Sequence, residues 1–165
     1  MPYLFQPTKS ILTNSVSVTC NTSNSTASFV LFTITGTIKV KEIYGVVTTV
    51  LSAAHTAAHL RLNDQTATPA ITLATGVDLS AAPVGSITRR VGLAAVALTS
   101  GKNSVGLVQD ANSAGNAVST ELEVTKKTGA VTTIDYRYTT TDAPSSGVIE
   151  FFLVWEPVSA DAAVA

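Results

Sequence analysis

Apolar and polar side chains alternate at period two along much of the chain, most clearly from Phe29 to Leu51, FVLFTITGTIKVKEIYGVVTTVL. Before Gly36, Val30, Phe32 and Ile34 fall on one face and Leu31, Thr33 and Thr35 on the other. Such a run, rich in β-branched and aromatic residues, is the pattern of a pleated strand. After Gly36, Ile38 and Val40 point one way and Lys39 and Lys41 the other, so the segment reads as a hairpin of two strands. At Glu42 the phase slips. Ile43 and Val47 take over the apolar face and Gly45 interrupts it, which predicts a β-bulge between Lys41 and Val46.

The same reading extends along the chain. Val46 to Leu62 is expected to be strand in preference to a short helix over Ser52–His59, where alanines are dense. Turn signals at Asn63-Asp64, Thr75-Gly76, Pro83 and Gly85 bound short strands at Ala70–Leu73, Val77–Leu79 and Ser86–Val91, followed by Leu93–Thr99. Asp110–Gly115 reads as an exposed loop. In Thr120–Lys127, Leu122 and Val124 point inward and Glu121, Glu123 and Thr125 outward. In Val131–Thr140, Ile134, Tyr136 and Tyr138 oppose Asp135, Arg137 and Thr139. A Thr139–Gly147 loop leads to a last strand, Val148–Glu156, with Ile149, Phe151, Leu153 and Trp155 on one face, ended by Pro157. Tyr136, Tyr138, Phe151 and Trp155 are expected to form one core layer on two paired C-terminal strands.

Many short strands, frequent turns and no long amphipathic helix predict an all-β fold, an antiparallel β-sandwich or jelly-roll-like barrel. Residues 1–27, with Pro2 and Pro7 and only short apolar patches, are expected to form an extended N-terminal arm. The sandwich then occupies residues 28–158, and residues 159–165 form a flexible tail.

Composition changes the picture in one respect. Of 165 residues 45% are hydrophobic and 13% charged, about half the charge usual in soluble domains, so Ser, Thr and Asn must cover much of the surface. With a mean hydropathy of +0.34, this favours an assembled protein over a free monomer. A net charge of −1 provides no basic footprint for nucleic acid. Arg89-Arg90 and Lys126-Lys127 read as solvated strand ends or turns. The N-terminus has no secretory pattern, and no apolar run has the length of a membrane span. The triplets at Asn21 and Asn24 match a glycosylation pattern only formally.

Candidate chemistry is sparse. Cys20 is alone and reads as an inert thiol. His55 and His59 suit a metal only on a helix. On a strand they share a face about 13 Å apart, and only Asp64 could join them, which leaves a surface role or a cluster of symmetry-related histidines at a subunit axis. Asp64, Asp78, Asp110, Asp135 and Asp142 form no calcium loop. Glu121 and Glu123 read as a solvated ladder, not a glycosidase pair. Gly101-Lys102-Asn103 lacks the glycine spacing of a phosphate loop. The expectation is a protein without catalytic residues, cofactor or metal. A glycan-binding platform would require Tyr3, Tyr44 or Trp155 to be exposed.

FTITGTIKVKEIYGVVTTV, together with the C-terminal GVIEFFLVWEPV, resembles a group of tailed-bacteriophage virion proteins of similar length. In that group an F-T-I-T-G strand precedes one ending in G-x-V-T-T, and a final strand alternates aromatics before a proline. The likeness covers Leu31–Val50 and, less closely, Val131–Val158. It implies a capsid decoration (cement) protein on the virion exterior that bridges subunits of the major capsid protein as a homo-oligomer, a trimer in this reading. A receptor- or glycan-binding fibre domain and a tail-tube or adaptor subunit are the alternatives.

Overall fold

The computed structural model describes residues 10–21, 25–52, 55–63, 70–90, 99–100, 121–140 and 146–165. They form strands and no helix: β1 (Leu12–Thr19), β2 (Thr26–Thr35), β3 (Thr37–Thr49), β4 (Thr56–Asn63), β5 (Ile71–Val77), β6 (Ile87–Arg89), β7 (Thr99–Ser100), β8 (Leu122–Thr125), β9 (Thr132–Thr139), β10 (Val148–Pro157) and β11 (Ala163–Val164). Among them there is therefore no helix long and apolar enough to cross a membrane. Two antiparallel sheets result. The first runs β1-β10-β3-β6-β7, with β8 also on β3, and the second runs β11-β2-β9-β4-β5. A single buried cluster draws Ile38, Val40, Ile43, Phe151 and Leu153 from the first and Phe32, Ile34, Leu60, Ile134 and Tyr136 from the second, so the sheets pack face to face as an all-β sandwich.

Bulges set which residues reach that core. Val40 pairs with Trp155 and Glu42 with Val154, so Lys41 is the extra residue, at the edge of the interval where the phase slip predicts a bulge. Thr48 is a second extra residue, between Val47 opposite Ile149 and Thr49 opposite Val148. In β2 the register jumps from Val30 opposite Asp135 to Phe32 opposite Ile134, leaving Leu31 unmatched. Val30 is therefore 52% exposed while Leu31 and Phe32 are both buried, and the strict alternation expected of Val30, Phe32 and Ile34 does not hold.

Several expected boundaries change. β2 and β3 are not a hairpin: Gly36, at φ +65°, is a corner that carries the chain from one sheet to the other. β9 and β10 do not pair but face each other across the sandwich, with the Tyr136 and Phe151 rings 4.7 Å apart. Part of the expected arm is β1, paired with β10 over eight consecutive residues, because Val16 and Val18 alternate onto the core side. The tail is not frayed. It turns at Ser159–Ala162 and pairs as β11 with β2, with Thr33 and Ala165 exchanging two backbone hydrogen bonds. The strand expected over Val46–Leu62 is broken: β3 ends at Thr49 and β4 begins at Thr56 in the other sheet, with Thr56–His59 strand and not helix, while Ile71–Val77 runs unbroken through Thr75-Gly76. The Leu93–Thr99 strand, apart from Thr99, and the Asp110–Gly115 loop fall outside the described residues, as do residues 1–9 of the arm and most of the loop before β10.

Gly45 shows how tightly the central strands meet. It lies opposite Phe151, and a Cβ there would stand 2.8 Å from the Phe151 ring and 2.9 Å from Ile149 Cγ2. Gly45→Ala is expected to destabilise the fold by about 1–3 kcal/mol through overpacking. Urea unfolding checks this, and an unchanged midpoint would mean that the Phe151 ring can turn aside.

Candidate functional site

Among the described residues, the outward side chains of the β8-β3-β10 segment form an organised exposed surface. Tyr44 of β3 and Phe152 of β10 are directly opposed in register and stack, with centroids 4.9 Å apart and planes 13° apart. Ion pairs lie beside this pair and along the same strands toward Gly36. Lys39 Nζ lies 2.5 Å and Lys41 Nζ 2.6 Å from the carboxylate of Glu121, Lys41 also reaches Glu156 at 3.3 Å, and Arg89 Nε reaches Glu42 at 2.9 Å. Hydrogen bonds from Lys39 and then Lys41 hold the Glu121 carboxyl below the usual carboxylate range. Glu121 is thus an ion-pair acceptor fixed by β3, and Glu123 lies opposite Lys39, as a solvated ladder requires. Exposed pairs of this kind contribute little to stability, because water screens them. Their effect is to fix charged side chains next to a half-buried aromatic pair, a mixture that suits a protein contact surface.

The two histidines part company. Ala57 at φ +50° and a register shift between Thr56 and His59 slip the phase of β4, so His55 turns into the core while His59 stays half-exposed and bonds the Ala57 carbonyl through Nδ1 at 2.8 Å. His55 is fully buried, its Nε2 2.5 Å from the Tyr136 hydroxyl and its ring stacked 4.0 Å from Tyr138. Burial lowers its pKa to about 4, against a weaker upward pull from Asp78. The ring is therefore neutral near pH 7 and shares a hydrogen bond with the Tyr136 hydroxyl through Nε2, while its buried Nδ1 has no partner among the described residues. An axial cluster of symmetry-related histidines is closed to His55. Asp64 lies outside the described residues, and among the described residues no group of three His, Cys, Asp or Glu side chains could hold a metal ion.

Cys20 lies in the same core region, its thiol pushed up to about 11 by burial and partly relieved by a hydrogen bond with Tyr138, so it stays protonated. The Arg89-Arg90 pair also divides. Arg89 faces out to Glu42, while Arg90, 8% exposed, turns in and donates Nε to the Leu73 carbonyl at 3.0 Å, tying one sheet to the other. Lys126 and Lys127 remain exposed on the turn after β8, beside an open groove of about 390 Å³ that Thr37, Thr125, Ser159 and Asp161 also line. Trp155 is buried, its Nε1 donating to Asn14 Oδ1 at 2.9 Å, so it offers no platform. Tyr44 presents one face to Phe152, and Tyr3 lies outside the described residues.

Sequence reasoning missed a heavily bonded buried carboxylate. Asp135, 2% exposed in mid-β9, accepts from Arg61 Nε and Nη2 at 3.2 and 3.1 Å, from Asn63 Nδ2 at 3.1 Å and from Thr133 Oγ1 at 2.6 Å. An aspartate between apolar positions of a strand, with Arg and Asn spaced by two on a second strand, was the available signal. No protein-family model, curated protein or solved structure matches the chain.

Proposed function

We propose that the chain is a non-enzymatic structural protein of a tailed-bacteriophage virion, on the capsid exterior, where it stabilises the shell by bridging subunits of the major capsid protein. The observation that carries this reading is where apolar surface remains. Among the described residues Ile11, Leu12, Ile71, Val131 and Val158 are each 40% exposed or more. Their strand registers place them toward the end of the sandwich that holds Gly36, while Val30 lies mid-strand in β2 and Val50 and Val84 belong to the opposite end. Apolar side chains concentrated at one end of a domain, with a weakly charged surface around them, suit docking onto another protein.

The segments that resemble phage virion proteins fall on β2, β3, β9 and β10, at the centre of the two sheets. The resemblance therefore supports a scaffold whose function lies in its surfaces. Stabilisation by such a protein comes from buried area: each added interface that forms only on the intact shell raises the cost of taking it apart.

The test is to strip the protein from particles, add it back, and follow genome release on heating or osmotic shock. Particles with the protein restored are expected to outlast stripped ones, and equal survival would refute a cement role. Ile71→Asp with Val158→Asp, both at exposed positions, should abolish rebinding while leaving the unfolding midpoint nearly unchanged.

A further inference from the structure

Sheet edges expose unpaired backbone donors and acceptors, and folded proteins blunt them with short strands, bulges, glycine, proline or charge. Most edges here are blunted. Among the described edges, β11 has two residues, β8 has four and carries Glu123, and β5 meets β4 through two register irregularities and carries Gly76. β1 is the exception among the described residues. LTNSVSVT holds no charge, proline or glycine, and its register with β10 is unbroken over all eight residues. It is also held rigidly, since Asn14 donates Nδ2 to the Val164 carbonyl at 3.0 Å while its Oδ1 accepts from Trp155. No described strand pairs with its outer side.

The geometry points to a second copy of this chain as the occupant of that edge, through antiparallel β1 to β1 pairing about a two-fold axis. An isologous contact sets each residue against one of the same strand, so any charge in β1 would meet its own image, and β1 has none. With the axis at Ser15, Ser15 faces its own symmetry mate, Thr13 faces Ser17 and Leu12 faces Val18. Inward residues then meet inward residues and the exposed hydroxyls form one ladder. An axis between two residues would set inward side chains against outward ones, which the pleat forbids. Pairing also covers Leu12, 40% exposed, and brings Ile11, 63% exposed, opposite Thr19. Joining two β1 edges gives two-fold symmetry; a three-fold ring would need β1 to meet one of the blunted edges. This inference stands independently of any capsid role.

Sedimentation of the full chain across a wide concentration range is expected to show a dimer, twice the 17.0 kDa of one chain. Ser15→Lys places two cations face to face at the axis and should weaken the dimer by about tenfold or more, with an unchanged unfolding midpoint at dilutions where both chains are monomeric. Ser15→Cys should form an intermolecular disulfide under mild oxidation, since opposed residues of paired strands lie within bridging distance. Thr128→Cys, on the exposed turn after β8, should not, and the native Cys20 is buried. A monomer at every concentration, a trimer, a dimer indifferent to Ser15→Lys, or no cross-link through Ser15→Cys would each overturn the proposal, and pairing of β1 with a strand of another protein would appear as the first of these.

Discussion

Replacing Arg61 by methionine is expected to lower the free energy of unfolding by about 3 kcal/mol, because it strands a buried carboxylate. Asp135 is 2% exposed and takes two of its four hydrogen bonds from the Arg61 guanidinium. Methionine keeps the packing of the arginine stem along β4 but removes the compensating charge, so Asn63 and Thr133 alone must solvate the anion. The double variant Arg61→Met with Asp135→Asn should recover a substantial part of the loss, since removing both charges ends the desolvation penalty while leaving an acceptor for Asn63. Urea unfolding of the two single variants and the double variant gives the coupling directly. A loss below about 1 kcal/mol for Arg61→Met would mean that water replaces the guanidinium, as happens at exposed pairs.

The period-two pattern was enough to read the fold class and most strands, because each strand turns one face to the core and the residue types change with the face. It was enough to place the first β3 bulge as well, since an extra residue shifts the inward series from Ile38 and Val40 to Ile43 and Val47. Pairing was not legible in the same way. Alternation states which face is buried but not which strand lies beside it, so Gly36 read as a hairpin turn although it is a corner between sheets, and Tyr136 and Phe151 read as neighbours within one sheet although they meet across two. The bulge at Leu31 was hidden because an apolar residue filled the extra position and left no visible break. For the candidate site, the pairing of β3 with β8 decides that Lys39 and Lys41 meet Glu121, and nothing in the local sequence of either strand announces that partner. His55 and His59 separated for the same reason as Leu31: the slip at Ala57 occurs in an alanine-rich stretch whose pattern carries little phase information.

Acid is expected to weaken the fold through His55 in a defined window. The imidazole has a pKa near 4 in the folded protein, held there by burial, against about 6.5 in an unfolded chain. The depressed value means that the unfolded state takes up the proton first. The stability contributed by a neutral His55 is complete above about pH 6.5 and falls steadily as pH drops toward 4, where the folded protein begins to bind the proton too. At about 1.4 kcal/mol for each unit of difference, the loss across the window amounts to roughly 3 kcal/mol. Most of it precedes the protonation of ordinary carboxylates, so Glu121 and its lysine partners contribute mainly at the lower end. His55→Phe isolates the effect. Phenylalanine keeps the stack on Tyr138 but leaves the fully buried Tyr136 hydroxyl without its hydrogen-bond partner, which costs about 1–3 kcal/mol at pH 7.5. Because the variant cannot take up a proton there, its stability should stay nearly flat between pH 6.5 and 5 while that of the parent declines, and the two urea midpoints should converge. Parallel declines would place the acid-sensitive group elsewhere and would contradict a His55 held neutral by the core.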